Sequence, residues 1–213
     1  MLEKPSPKGY HVQAVRYRLD ELMNATAHQI LTLGEDLIRT RGYSAFSFQD
    51  IADEIGIRKA SIHYHFASKA ELGLAVIKAY RARMTETAER ALATEDARQA
   101  LALYVEPIVE LGRVARDICT AGILGTEHLA LPETIQVEVA AFFREQIAWL
   151  AEILDRGRQS GDFSFAGTAE NTATLFLSAV EGGLMMKRVL DEPQRFAAVL
   201  ETALAMIIAR SAA

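Results

Sequence analysis

Two short apolar-periodic segments separated by a turn occupy residues 46–66, which read FSFQDIADEIGIRKASIHYHF. Ser47 precedes the first segment and Asp50 follows three residues later, a variant of the capping box that opens helices. Gly56 supplies the left-handed residue that commonly ends a helix. The pattern therefore predicts a helix that starts at Phe48 and ends at Gly56.

A second helix follows almost at once, from about Lys59 to His65. Ile62 and Phe66 are four residues apart, so they share one face, which we expect to be buried. Two helices of this length are not stable alone and need a third helix to pack on. This arrangement is typical of helix-turn-helix DNA-binding proteins, in which the second helix enters the major groove.

The third helix of this head precedes the pair. Its apolar stripe keeps the spacing of an amphipathic helix, and basic Arg41 followed by Gly42 marks its end. The stripe consists of Ala27, Ile30, Leu31, Gly34, Leu37 and Ile38.

The segments after residue 66 all have helical periodicity, so the sequence predicts an all-α protein. Ser68 and Glu71 form another capping box, which opens a long helix toward Leu92. Pro107 lies inside a later helical segment and is expected to kink it and leave space beside it. The later segments are 97–115, 118–129, one that begins at Pro132 and whose end Gly157 and Gly161 mark, 168–190, and a final one from Phe196 through Ile208 without a break.

The N-terminal 23 residues are treated as an extension. Residues 1–9 carry two prolines and no apolar pattern, which is typical of disorder. Residues 12–22 repeat apolar positions at helical spacing, and we interpret them either as an additional helix or as an upstream part of the next one.

The last two helices are apolar on more than one face. A helix of this kind is buried on two sides, and Gly182 would let another backbone approach closely. We interpret the pair as a homodimer interface that forms a four-helix bundle with its symmetry mate, although a large helical core would give the same pattern. The predicted interface residues are Ala179, Gly182, Met186, Val199, Leu200 and Leu204.

Charge is distributed unevenly along the 213 residues, whose formal net charge is −5. Residues 1–83 hold 12 Lys and Arg against 9 Asp and Glu, whereas residues 84–213 hold 11 against 19. A mildly basic head on an acidic body fits a protein in which only the head contacts DNA. The single cysteine excludes an internal disulfide framework, and no apolar run reaches the roughly 20 residues of a membrane span. We expect a cytoplasmic protein with no membrane contact.

The run from Ile30 to Val76 resembles the DNA-binding head of the TetR family of transcriptional regulators. The matching residues are Gly42, Tyr43, Ser47, Ile51, Ala52, Gly56, His65, Phe66, Ser68, Lys69 and Leu72. The resemblance implies a helix-turn-helix domain over residues 24–70, followed by a ligand-binding and dimerisation domain over residues 71–213. It also implies three partners: an operator in double-stranded DNA, a small-molecule effector and a second copy of the chain.

Two positions depart from the family pattern. Arg58 stands where a small capping residue usually opens the recognition helix, and His63 stands where a tyrosine usually contacts phosphate. Tyr64 is adjacent, so either His63 or Tyr64 could meet the DNA backbone. Operator preference therefore cannot be transferred from relatives.

The candidate DNA-binding residues fall into two chemical groups. Arg58, Lys59 and Ser61 are expected to reach base edges or phosphates, since Arg and Lys pair best with guanine. The second group fixes the register on phosphates, with helix amide ends assisting. The second group consists of Ser47, Tyr64, His65 and Lys69, together with His63.

The candidate effector site lies beside the Pro107 kink. Four aromatic residues on the surrounding helices are expected to line it, with Glu127 and His128 as polar anchors. Cys119 is either a sensor of electrophiles, activated by a helix N-terminus and a nearby arginine, or a small buried hydrophobe. The four aromatic residues are Tyr104, Phe143, Trp149 and Phe176.

Other function classes were compared with this interpretation. The chain has no metal-ligand spacing and no glycine-rich phosphate loop, so we predict no metal, no cofactor and no catalytic residue. A small helical enzyme and a helical dimer that does not bind DNA are the alternatives. The predicted function is a repressor that a small molecule, either a non-covalent ligand or an electrophile, releases from a palindromic operator.

Overall fold

The computed structural model describes residues 25–208, and all the regular elements in that range are helical apart from an isolated β-bridge between Phe163 and Ile208. The expected helix within residues 12–22 lies outside the described residues. No helix in the described range is both long and apolar enough to cross a membrane. The helices are α1 (25–41), α2 (Phe48–Ile55), α3 (Lys59–His65), α4 (Lys69–Leu92), α5 (Ala97–Arg113), α6 (Thr120–Thr126), α7 (Glu133–Ser160), α8 (Ala169–Leu190) and α9 (Pro193–Ala205), with a 3₁₀ turn at His128–Ala130 between α6 and α7.

The head consists of α1, α2 and α3, and its helix ends are those that the sequence predicts. The Ser47 hydroxyl accepts hydrogen bonds from the amides of Gln49 and Asp50, while the Asp50 carboxylate accepts from the Ser47 amide. Gly56 ends α2 with a φ of 75°, a left-handed conformation that glycine adopts without strain. The capping box and the glycine stop are therefore confirmed.

Helix α4 connects the head to the body. It begins at Ser68, whose hydroxyl accepts from the Glu71 amide, and runs without interruption to Leu92. Its first turns bury Leu72 and Val76 in the same core cluster as head residues Ile30 and Ile38. Head and body therefore share one hydrophobic core.

The body packs α7 against α4, α5 and α8. Arg81 of α4 joins this packing through an ion pair with Glu138 at 2.5 Å and a second one with Glu145, both on α7. Helix α5 contains Pro107 in its interior, as the sequence predicts. The α7 helix continues through Gly157 to Ser160 and is capped by Gly161, so of the two glycines predicted to mark its end only Gly161 does so.

The last helix begins and ends three residues earlier than its apolar pattern suggests. It ends at Ala205, and Ile207 and Ile208 lie beyond it, so the prediction of an unbroken helix through Ile208 was wrong. Ile207 is buried, and its carbonyl accepts a hydrogen bond from the Ser164 amide. The apolar residues at this chain end fold back to cover the α7–α8 connection instead of extending α9.

A buried lysine on α8 ties the body together. Lys187 has no exposed surface, and its ammonium donates to the carbonyls of Leu111, Val114 and Asp117 at 2.5, 2.7 and 2.8 Å. Its three donors are thereby all used. The ammonium thus joins α8 to the end of α5 and to the segment that leads into α6.

Replacing Lys187 with methionine should destabilise the protein strongly. Lys187→Met keeps the length of the side chain but leaves three carbonyls without their donor, and we expect a loss of at least about 2 kcal/mol in the free energy of unfolding. Urea denaturation at a fixed protein concentration measures this loss. The matched control is Lys78→Met on the exposed side of α4, which should change stability by less than about 0.5 kcal/mol. Similar losses in both variants would contradict a structural role for the ammonium.

Candidate nucleic-acid interface and body cavity

Three exposed polar side chains lie on α3 or directly before it. Arg58 precedes the helix and makes no side-chain cap, and Lys59 occupies its first turn. Tyr64 is 69% exposed although it is a large aromatic residue. Ile62, on the opposite face, is completely buried and anchors α3 against the head. The geometry leaves two cations and one phenol facing solvent on the short helix that the sequence assigns to the major groove.

The two histidines of α3 are partly used by the protein itself. The His63 ring packs edge-on against Phe48 with ring centroids 5.0 Å apart, and its Nδ1 lies 3.2 Å from the carbonyl oxygen of Ala67. His65 is less exposed than His63 and packs against the ring of Tyr64 at 5.1 Å. Of the neighbours His63 and Tyr64, Tyr64 is therefore the freer to reach a phosphate, and Ser61 is partly exposed beside them.

Lys69 and Ser47 are engaged within the head. The Lys69 ammonium donates to the carbonyl of Phe46 and lies 4.9 and 4.4 Å from the ring centroids of Tyr43 and Phe46. Burial lowers the pKa of Lys69, while the charge of Glu127 opposes that change. The Lys69 ammonium therefore already has one acceptor within the head, and its contact with phosphate stays a prediction. The Ser47 hydroxyl is likewise occupied as a helix cap.

Side chains of the body hold the end of α1. Glu127 accepts hydrogen bonds from the amides of Tyr43 and Ser44 at 2.6 and 2.9 Å. The guanidinium of Arg188, on α8, donates to the carbonyl of Arg39 at 2.9 Å and also to that of Thr40. Glu127 is therefore a link between body and head and not a polar anchor of the cavity, which corrects the sequence prediction.

Glycine is required at the same junction. Gly42 has a φ of 93°, and a Cβ built there would lie 2.5 Å from Oε1 of Glu127. A side chain at residue 42 would therefore be strained and would also displace the carboxylate. The Gly42-Tyr43 pair thus has a physical reason in this structure.

A small cavity of about 40 Å³ lies beside Pro107, as the kink predicts. Cys119 and Phe143 contribute to its lining, and Tyr104 lies behind it, donating to Oε1 of Gln146 at 2.8 Å. The other predicted lining residues are elsewhere: Phe176 faces the α8–α9 groove, His128 begins the 3₁₀ turn, and Trp149 is outside the cavity. Only Cys119 and Phe143 of the seven predicted effector-site residues line this cavity, and its use by an effector stays a prediction.

Cys119 is buried at the start of α6. Its sulfur accepts hydrogen bonds from the Tyr80 hydroxyl at 3.4 Å and from the Gly122 amide at 3.3 Å. Burial, followed by the charge of Glu181, raises the pKa of the Cys119 thiol well above its usual range. The helix N-terminus that we expected to favour the thiolate is present, but burial outweighs it.

The predicted interface residues of α8 and α9 lie mostly on one open face. Residues 175, 179, 182, 186 and 189 form a stripe along α8 whose members are partly or fully exposed, and Val189 is 83% exposed. Between α8 and α9 runs an apolar groove of about 640 Å³ that includes Ala179, Met186 and Val199. Leu200 departs from the expectation because it is already buried within the single chain, and Leu204 is only partly exposed.

Several polar residues of the body were missed by sequence reasoning. Glu181 and Gln146 line the cavity, and Lys187 and Arg188 bind backbone carbonyls. A signal existed for Lys187, since it continues the buried stripe of Val180 and Leu184 at helical spacing. No group of three or more potential metal ligands occurs in the range that the structure describes.

Comparison with known proteins gives consistent results for head and body. Residues 30–76 match the family model described as bacterial regulatory proteins, tetR family. A TetR-family transcriptional regulator from Agrobacterium tumefaciens has a similar structure, with a TM-score of 0.82 and 32% identity over 88% of this chain and 100% of that one.

Two named regulators are also similar in sequence. The HTH-type transcriptional repressor NemR of Escherichia coli K12 is 26% identical over 67% of this chain and 73% of its own length. The HTH-type transcriptional activator FasR of Mycolicibacterium smegmatis is 37% identical over 79 residues, which are 37% of this chain and 36% of its own length.

The buried position of Cys119 predicts slow alkylation. Because the thiol is shielded and remains protonated, N-ethylmaleimide should modify the native protein at least about a hundredfold more slowly than the urea-unfolded protein at pH 7.5. Mass spectrometry over time follows the reaction, and Cys119→Ser is the control for labelling at other groups. Modification of the native protein within minutes, with release from DNA, would instead support the sensor hypothesis.

Proposed function

Because the chain belongs to the TetR family of bacterial regulatory proteins, a family of DNA-binding transcriptional regulators, we propose that it is a homodimeric repressor controlled by a small molecule. The observation that carries this proposal is the solvent-facing set of Arg58, Lys59 and Tyr64 on a recognition helix whose other face is anchored by Ile62. The protein would act in the cytoplasm, where the DNA of a bacterium is found.

The short α3 helix would enter the major groove, while the first turn of α2 faces the DNA backbone. Arg58 and Lys59 would contact guanines or phosphates, and Tyr64 would donate its hydroxyl to a phosphate. Ser61 and His63 flank them, and His65 is a weaker candidate because it is more buried. Two heads of a dimer would read half-sites about 34 Å apart, so the operator should be a palindrome.

Dimerisation would use the open face of α8 and α9. A single chain leaves the apolar stripe that includes Leu175, Met186 and Val189 exposed, which costs free energy unless another surface covers it. A Cβ built at Gly182 meets no atom within 4 Å in the single chain, so a partner helix would have room to approach there. A symmetric four-helix bundle would bury both stripes together.

An effector would act through the body cavity and its links to the head. The cavity beside Pro107 is small, so a ligand would have to displace its walls, which include residues of α5, α7 and α8. Helix α8 also carries Arg188, which binds the end of α1. A ligand that favours a displaced α8 would therefore favour a different head position and weaken DNA binding.

Repression is favoured over activation by the extent of the similarities. The alignment with the repressor NemR covers 67% of this chain and so includes much of the body, whereas the alignment with the activator FasR covers 37%. We propose no catalytic role for any residue.

Variants of the recognition helix test the DNA-binding surface. Lys59→Ala and Tyr64→Phe should each weaken binding to the protein's own upstream DNA by about 1–3 kcal/mol, and Lys59→Ala should also reduce the salt dependence. Fluorescence anisotropy at several salt concentrations measures both effects, and thermal midpoints should stay within a few degrees of the wild type. Lys78→Ala, an exposed lysine of the body, is the control. If Lys59→Ala and Tyr64→Phe both bind like the wild type, α3 does not read the operator through these residues.

A variant on the open face tests the dimer. Gly182→Leu fits the single chain but should overpack a close helix–helix contact, raising the dimer dissociation constant at least about tenfold. DNA affinity should fall with it, because two linked half-sites bind far more tightly than one. Sedimentation velocity at low micromolar concentration gives the oligomeric state. Gly182→Ala is the control for the loss of glycine, and an unchanged dimer in Gly182→Leu would move the interface elsewhere.

A further inference from the structure

The cavity beside Pro107 contains a carboxylate that has no cationic partner. Glu181 projects from α8 into the cavity wall, and none of the ion pairs formed by the described residues includes it. Burial raises the pKa of Glu181, and its hydrogen bond with the Cys119 thiol opposes that shift. Keeping an uncompensated carboxylate in an apolar cavity is unfavourable, so its position needs an explanation.

The surroundings leave room for this carboxylate. Gly122 faces Glu181, and a Cβ built at residue 122 would overlap Oε2 of the carboxylate. The sulfur of Cys119 accepts from the Tyr80 hydroxyl, and the thiol is also hydrogen-bonded to Glu181, so it lies between the phenol and the carboxylate. Oε2 of Glu181 thus lies beside the first turn of α6, and no cationic side chain forms an ion pair with this carboxylate among the described residues.

Three aromatic rings line the same cavity. The ring centroids of Tyr80 and Phe142 are 5.4 Å apart, and Phe143 packs edge-on against Phe142 at 5.3 Å. All three rings contribute to the lining. Aromatic faces attract organic cations electrostatically, and a carboxylate in the same cavity adds to that attraction.

A second polar group in the wall is also without a partner. Gln146 is only 8% exposed, and its Oε1 accepts from the Tyr104 hydroxyl, which fixes the orientation of the amide. Its Nε2 is buried and donates to no atom of the described residues. A buried donor without an acceptor is costly, and a ligand oxygen beside it would remove that cost.

From these juxtaposed groups, and building on the effector role proposed above, we propose that the cavity binds a small organic cation that also carries a hydrogen-bond acceptor. The ammonium group would lie between Glu181 and the rings of Tyr80, Phe142 and Phe143, and the acceptor would meet Nε2 of Gln146. An anionic ligand would be repelled by Glu181. An uncharged hydrocarbon would leave both Glu181 and Gln146 without partners.

Binding of such a cation requires the cavity to widen. Its present volume of about 40 Å³ holds little more than one water molecule, whose share of liquid volume is about 30 Å³. Met84, a flexible side chain in the lining, and the α8 helix that carries Glu181 are the parts that would move. Drawing Glu181 toward a cation would also shift Arg188, two turns further along α8.

The experiment compares a cation with an uncharged ester of the same shape and with a smaller anion that carries the same tert-butyl group. Isothermal titration calorimetry on the full-length wild-type protein would use acetylcholine, its uncharged carbon isostere 3,3-dimethylbutyl acetate, and the anion 3,3-dimethylbutanoate. We expect acetylcholine to bind at least about tenfold more tightly than the isostere, and the anion to bind least. Equal binding of the two isosteres, preference for the anion, or no binding of acetylcholine at millimolar concentration would overturn the proposal.

Variants then test whether Glu181 causes the tighter binding of acetylcholine and whether Gln146 binds the carbonyl of both esters. Glu181→Gln should reduce the advantage of acetylcholine over its isostere to less than about twofold, while Glu170→Gln, the same change on the exposed start of α8, should keep it. Gln146→Leu should weaken both esters by a similar factor, since both carry the same carbonyl acceptor. If Glu181→Gln does not fold, the wild-type comparison of charge and the Gln146→Leu titration still decide the matter.

A failure of the cation-binding proposal can be distinguished from a failure of the proposed repressor function. Release of operator DNA is measured by fluorescence anisotropy on the same samples. A charge preference without release supports this cavity assignment and counts against an effector role. Normal DNA binding together with no charge preference overturns the cavity assignment and leaves the repressor proposal intact.

Discussion

The backbone at the end of α1 determines how head and body fit together. A helix end leaves carbonyls unpaired, and the turn that follows leaves amides unpaired. Here Arg188 binds the carbonyls of Arg39 and Thr40, and Glu127 binds the amides of Tyr43 and Ser44. Groups that the head cannot satisfy by itself are thus satisfied by the body. Because a head of about 45 residues is marginal on its own, this dependence makes its orientation a property of the whole chain.

The polar side chains inside the body are of two kinds, those with partners for all their polar groups and those without. Lys187 is enclosed but has three carbonyl acceptors, and Arg81 bridges two carboxylates of α7. Glu181 and Gln146, in contrast, lie in the wall of one cavity, where Glu181 pairs with no cationic side chain and Nε2 of Gln146 has no acceptor among the described residues. A folded core normally pairs its polar groups. The two unpaired groups lie in the same cavity, where a bound ligand could supply the missing cation and hydrogen-bond acceptor.

The sequence predicted features that depend on neighbouring residues and missed those that depend on distant ones. Ser47, Gly56 and Ser68 mark helix ends through contacts within four residues, so their roles follow from spacing alone. Glu127 was predicted to be a polar anchor of the cavity. Its actual partners are the amides of Tyr43 and Ser44, which lie 84 and 83 positions away in the sequence and so could not be foreseen from spacing. Lys69 resembles any exposed cation in sequence, but the fold brings the carbonyl of Phe46 to it. Space beside α5 could be predicted from Pro107. The polar residues of the cavity could not, because the apolar pattern does not define which side of each helix faces the cavity.

The three carbonyls around Lys187 have a consequence for which sequences can share this fold. An ammonium on a flexible stem directs three donors to points spread around one atom, whereas a guanidinium directs five donors within one plane. Arginine would therefore not reproduce the contacts to Leu111, Val114 and Asp117 within a space that has no exposed surface. Lys187→Arg, ordinarily a conservative substitution, is therefore not tolerated at this position. Homologous chains with arginine there must arrange the α5–α6 connection differently.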